Sequence, residues 1–320
     1  EFYPNSRQSE ERKSARIGLR HDLQPNSTLL GTVIIGDSEG IGTGFDEGAF
    51  SVDIASESDR VMGEVLHIYN CGRFSLQSGA GYIYSDTSDT FTITFPFESA
   101  NEEDFTSRHA HLYSYAQVDL PHQVTATFGL SGDLLDSEVK DREQLNPKIA
   151  LTWQPTNSTL IRGAVFSTVQ RDLLYAQTIE PTHVAGFNQF FDDFDSTSAW
   201  TYGLGINQNF SKNWFGGAQF YHRDLNVPFT ELLGPESPPV KSEDDWKEDI
   251  ASVYLYWAPL SWTSIGLEYY YEKFTQDEFE GLQEASDLTS HRLTPQVSFF
   301  LPVGFSARLQ AHYIDPVSYT

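Results

Sequence analysis

Four arginines pose the first chemical question. Arg16, Arg20, Arg162 and Arg308 fall on the polar face of segments in which polar and apolar residues alternate, and Glu64, Asp119, Asp133 and Glu268 fall on the polar faces of others. Charges of both signs on one face can line a wet channel and select what passes, or they can simply pair with one another across it. Pairing is the simpler reading. The acidic runs Asp37, Glu39, Asp46, Glu47, Asp53, Glu57, Asp59 and Glu243, Asp244, Asp245, Glu248, Asp249 carry the hard oxygens that suit Ca²⁺ or Mg²⁺. Asp192, Asp193 and Asp195 form the best single calcium candidate, although no EF-hand spacing is present and a solvated, self-repelling surface is the default for such runs. His109 and His111 lie two apart, hence on one side of a strand, and a third ligand from a neighbour would complete a transition-metal site. No GxSxG, HExxH or P-loop occurs, so nothing specific points to an enzyme. Cys71 is the only cysteine, which leaves no intrachain disulfide and no zinc spacing.

These residues need elements to hold them, and the composition narrows which. Forty-five acidic against 20 basic residues give a formal charge of −25, which excludes the basic stripe that nucleic acid requires. No apolar run approaches the roughly 18 to 20 residues of a spanning helix. Yet 14% of the chain is aromatic while its mean hydropathy is −0.39, too aromatic for disorder and too polar for an ordinary core of this size.

Period-2 alternation resolves the conflict. One face of 199–210 carries Trp200, Tyr202, Leu204 and Ile206, and the other Thr201, Gly203, Gly205 and Asn207. Segments 123–133 and 304–313 repeat the pattern. Tight turns are expected at 24–27, 70–72, 120–122, 154–157, 211–213, 258–260 and 301–304, giving hairpins and about fourteen strands. The intervening connections are expected to be long, at 37–58, 85–105, 135–144, 169–197, 225–244 and 275–286. Short and long connections in strict alternation, with Phe74, Trp153, Phe210, Trp214, Trp257, Trp262, Phe299 and Phe305 beside the short ones, are the pattern of an outer-membrane barrel with an aromatic girdle. The expected fold is all-β, a transmembrane antiparallel β-barrel over 1–320. On this reading lipid covers the apolar face, a wet lumen takes the polar one, and outer-membrane lipid and lipopolysaccharide are the surroundings.

Asn146-Pro147-Lys148-Ile149-Ala150-Leu151-Thr152-Trp153-Gln154-Pro155, followed by Thr159-Leu160-Ile161-Arg162-Gly163-Ala164, resembles a hairpin of TonB-dependent receptor barrels. The stretch from Glu180-Pro181-Thr182 to Asp192-Asp193 is similar to receptor-like barrels that follow tetratricopeptide repeats in Gram-negative outer-membrane proteins. The resemblance implies a passage or anchor in the outer membrane, with an upstream periplasmic repeat segment recruiting partners. The sequence shows no plug domain and fewer strands than a complete receptor barrel, so it reads as part of a longer chain or as a smaller relative.

Two site expectations follow. Arg16, Arg20, Arg162, Arg308, Asp119, Asp133 and Glu268 line the lumen; Phe187, Phe190, Phe191 and Phe194, four phenylalanines within eight residues, pack back on the wall or meet a periplasmic or surface protein. Transport or export is the leading function. A non-conducting anchor or receptor that binds protein or glycan through its acidic loops is the second reading, and a secreted carbohydrate-binding β-protein the third.

Overall fold

The computed structural model describes residues 7–47, 50–94, 98–137, 141–189, 193–231, 240–276, 287–302 and 304–319. Its strands are β1 (Arg7–Gln24), β2 (Ser27–Glu47), β3 (Phe50–Cys71), β4 (Phe74–Thr94), β5 (Glu98–Leu120), β6 (Val124–Ser137), β7 (Arg142–Thr156) and β8 (Thr159–Val169). After the two-residue β9 (His183–Val184) and β10 (Phe187–Asn188) come β11 (Ser198–Ser211), β12 (Trp214–Glu231), β13 (Val240–Leu260), β14 (Thr263–Gln276), β15 (Asp287–Phe300), β16 (Ser306–Gln310) and β17 (Tyr313–Tyr319).

Fifteen of them form one barrel-like antiparallel sheet in chain order, β1 to β8 and then β11 to β16, with β17 also on β15. The count exceeds the expected fourteen because β16 and β17 occupy successive stretches of β15, as one interrupted strand would. Among the described residues β1 pairs only with β2, so the wall has two edges.

The short turns fall where the sequence puts them, within a residue or two. Most of the long connections do not. Strands β2 to β5 run 21 to 23 residues, so the acidic stretches at 37–58 and 85–105 are mostly paired backbone. The same holds for Glu243 to Asp249, which lie within β13. The reason is solvation: beyond the bilayer both faces of a strand are wet, so hydrophobic alternation disappears while the hydrogen-bonded ladder continues. Among the described residues 170–197 is a long connection throughout most of its expected range, while 277–286, which joins β14 to β15 within the expected 275–286, lies outside them.

Two faces with opposite solvents explain the rest. On β11, Leu204 is 63% exposed and Thr201 1%. The outward-facing stretch from Trp200 to Phe210 spans ten residue steps, about 34 Å along the strand and about 25 Å along the membrane normal at the usual tilt, which matches the apolar band of outer-membrane barrels. Beside the short turns Trp214 and Trp257 are cross-strand partners stacked at 5.5 Å, and Trp262 stacks on Phe299 at 6.2 Å. Buried apolar side chains instead gather on the inner face, where Leu66, Tyr113, Tyr115, Phe166, Val184 and Phe187 share one cluster and Ile34, Met62, Ile83 and Leu174 another. Val184, Phe187 and Leu174 belong to the 170–197 connection, which is therefore folded into the lumen.

Candidate functional site

Alternation along β5 turns His109, His111, Tyr113 and Tyr115 inward, and the neighbouring registers bring polar partners to the same level. Glu64, Gly81, His111 and Asp133 form one cross-strand row. Because Gly81 has no side chain, Glu64 reaches over it to within 3.4 Å of His111 Nε2. Asn146 Nδ2 donates to Asp133 Oδ2 at 2.6 Å, His109 Nε2 lies 2.9 Å from Asp133 Oδ1, and Lys148 Nζ donates to the Ser167 carbonyl at 2.9 Å.

This row receives the inserted connection. Arg171 Nε donates to Asp133 Oδ1 at 2.7 Å and its Nη1 to Glu180, while the Tyr115 hydroxyl donates to Glu180 as well. Glu64 accepts from Thr178 Oγ1 at 2.7 Å and from the Ile179 amide at 2.8 Å. Burial opposes the charge of Arg171, yet the carboxylates of Glu180 and Asp133 raise its pKa above the ordinary arginine range, so Arg171 stays charged in its buried position. Such a network costs a great deal to half-dismantle, since each partner removed strands a buried charge.

Below it β9 and β10 make a miniature hairpin around Ala185 and Gly186, both at positive φ (50° and 82°), the signature of a two-residue turn that favours glycine. Phe187 lies edge-on to Tyr221 at 5.3 Å and under the Arg162 guanidinium at 5.1 Å. It fits because position 203 is glycine: a Cβ there would stand 2.7 Å from the Phe187 ring. Arg162 Nη1 also donates to the Ala185 carbonyl at 3.3 Å, and its Nη2 to Gln219 Oε1 at 3.4 Å. Arg162 sits three residues from the short turn that opens β8, and seven residues below the Val169–Ser198 pair where the connection enters. The inserted segment thus descends past about 23 Å of strand, closing that sector of the lumen. Above it lies a cavity of about 790 Å³ whose lining includes Arg12, Arg60, Asp172 and Asp195.

The other expected residues are dispersed. Arg16 donates to Thr32 and to Gln177 of the insertion, whereas Arg20 is exposed and bonded to Asp22. Arg308 donates to Ser298, Asp119 accepts from Thr125 at a short turn, and Glu268 accepts from Tyr256 and Gln296. Phe194 is 65% exposed, edge-on to Trp246 at 5.9 Å, while Phe190, Phe191 and Asp192 lie outside the described residues. Asp193 is engaged by Arg223. Among the described residues no three His, Cys or acidic side chains are grouped to hold a metal ion, and of the Asp192, Asp193 and Asp195 candidate the first lies outside the described residues. Sequence reasoning missed Arg171, Glu180, Tyr115, Asn146 and Lys148. For Asn146 and Lys148 the signal was available, since both share the face of Ala150 and Thr152; for Arg171 and Glu180, on an irregular segment, no periodicity exists to read.

Comparison with known proteins agrees with this architecture. Copper transporter OprC superposes with a TM-score of 0.70 at 9% identity, covering 98% of this chain and 53% of its own. The ferric yersiniabactin uptake receptor FyuA from Yersinia pestis gives 0.66 at 9%, covering 96% and 54%, and the ferric preacinetobactin receptor BauA from Acinetobacter baumannii 0.56 at 11%, covering 95% and 55%. The chain spans about half the length of these structures. No curated protein matches it in sequence. The family model described as TonB dependent receptor-like, beta-barrel matches residues 1–226. With the outward apolar band, the aromatic girdle and the antiparallel meander already in place, that match makes the chain a member of the TonB-dependent receptor-like β-barrel family of the Gram-negative outer membrane.

Proposed function

We propose that the chain forms barrel wall of an outer-membrane receptor that takes up a small solute, and that residues 170–197 are an in-lumen constriction the solute must pass or displace. The observation that carries this is the docking of the insertion on the wall by Arg171 on Asp133 and by Tyr115 on Glu180, with Arg171 and Glu180 also paired to each other, which sets a polar, ion-paired network in the lumen beside the apolar contacts of Val184 and Phe187. A polar obstruction held by ion pairs can be exchanged for water and solute at far lower cost than an apolar one. The solved relatives are named as a copper transporter and as receptors for ferric chelates, which supports uptake as the direction. The similarity of 180–193 to repeat-linked barrels supports periplasmic protein partners on the short-turn side, and the lumen expectations for Arg16, Arg162, Asp133 and Glu268 belong to the same proposal.

Planar-bilayer conductance of the purified full-length protein tests it. Low or silent current from the native protein and a higher steady current from Arg171→Met are expected. Equal currents from the two would remove the constriction. A wall that stays silent even after the insertion is released would favour the alternative, an anchor or surface receptor with no passage.

A further inference from the structure

Two cavities meet over the insertion, one of about 790 Å³ at the mouth and one of about 180 Å³ against β5 and β6, and Arg60, Gln170, Asp172 and Asp195 line both. Nearly every charge around them is already matched. Arg12 pairs with Glu10, Arg171 with Asp133 and Glu180, and Asp193 with Arg223, while Arg60 Nη1 holds Asp172 at 2.8 Å and its Nε bonds Ser58. Asp195 has neither hydrogen bond nor ion pair among the described residues. Asp195 is exposed at the rim of the cleft, yet desolvation by its surroundings and then the neighbouring Asp172 push its carboxyl up to about 6 against the weaker pull of Arg60. At the deeper end His109 is buried, with Nε2 turned to Asp133 and Nδ1 unpartnered. A carboxylate at Nε2 fixes the proton there, which leaves Nδ1 as a lone-pair acceptor. The cleft therefore has one uncompensated negative charge and a spare acceptor, with hydroxyls of Ser85, Thr87 and Ser107 between them on its wall.

We propose that this cleft is the binding site for a solute bearing a cationic nitrogen group, an ammonium or guanidinium, seated between Asp172 and Asp195 with its remaining N–H or O–H groups toward the wall that holds His109. The assignment rests on the uptake reading above and names its substrate class. A bare divalent ion fits less well, because no three side chains converge to coordinate it among the described residues, whereas an organic cation needs only one unpaired carboxylate and a pocket of drug-like size.

Calorimetric titration of the full chain in detergent, with spermidine as the cationic probe and citrate and Mg²⁺ as contrasts, tests this. Spermidine is expected to bind and citrate not. Affinity is expected to fall about tenfold in Asp195→Asn, and to fall similarly on going from about pH 7.5 to about pH 5, where the raised Asp195 carboxyl is protonated. The charged groups acting on Asp195 through that titration are Asp172 and Arg60, with Arg171 and His109 elsewhere on the cavity walls. Because Asp195 holds no structural contact, the variant should fold, and heat-modifiable mobility together with retained binding in Asp195→Glu checks that it has. Citrate binding as tightly as spermidine, an unchanged Asp195→Asn affinity, or displacement of spermidine by equimolar Mg²⁺ would each overturn the assignment. Binding of spermidine by a protein that stays silent even as Arg171→Met would overturn the uptake proposal and leave this one standing; a higher current from Arg171→Met with no preference for the cation in binding would do the reverse.

Discussion

Charge is handled in opposite ways on the two sides of this wall. Inside, Arg171, Asp133, Glu180, Asn146 and Tyr115 are buried, and the ions among them alternate in sign at hydrogen-bond distance. Outside, above the apolar band, Asp37, Asp59 and Asp86 are direct cross-strand neighbours on the outer face, Glu39 faces Glu57 one step further up, and Lys13 at 3.7 Å from Asp37 is the one cation bonded to this row among the described residues. Like charges opposite one another destabilise a sheet, but in water at physiological salt the penalty is small. Desolvated, the same arrangement would unfold it. The sheet thus tolerates repulsion only where water screens it, and the pairing of the inner charges marks that region as withdrawn from water.

The largest effect should come from breaking the inner pairing. Arg171→Met leaves Asp133 and Glu180 without the guanidinium that bridges them and is expected to cost about 3–5 kcal/mol, read as a lower denaturant midpoint in detergent and as proteolytic cutting within 170–197. On the lipid face, Leu204→Arg places a charge in the middle of the band; impaired insertion and a cost of about 2–4 kcal/mol are expected, and normal assembly would shift the band. Gly203→Ala forces a methyl against Phe187 and is expected to cost about 1–3 kcal/mol through displacement of the β9–β10 hairpin, visible as loosened protection of that hairpin with the wall intact. Asp59→Asn removes the middle of the outer acidic row and should stabilise by about 0.2–1 kcal/mol at low salt, with the gain vanishing at high salt.

Lipid contact is legible in sequence and lumen contact is not, for a physical reason. Trp200, Tyr202, Leu204 and Ile206 announce the lipid face because bilayer and water demand opposite residues at successive positions. Gln24-Pro25-Asn26-Ser27 and its counterpart at 154–157 announce turns because their backbone geometry is local. Strand length in β2 to β5 is lost where both sides are wet, since Ser, Thr, Gly and acidic residues suit a solvated strand as well as a loop. The insertion is harder still. Asp133 lies 38 residues from Arg171, and Tyr115 lies 65 from Glu180, so neither partner can be read from spacing. The clustered phenylalanines pointed to this segment, but Phe187 turns inward to Gly203 while Phe194 faces solvent, a division that only the cavity left at a glycine decides.

Thiol accessibility at the buried hairpin tests the central claim most directly. With the exposed Cys71 replaced by Ser, Val184→Cys places a single thiol at a fully buried point of the insertion, to be challenged in native outer membranes with a bulky membrane-impermeant maleimide. The docked insertion predicts no labelling while Arg171 is present and ready labelling once Arg171→Met is added. Equal labelling in both backgrounds would contradict a lumen held shut by that arginine.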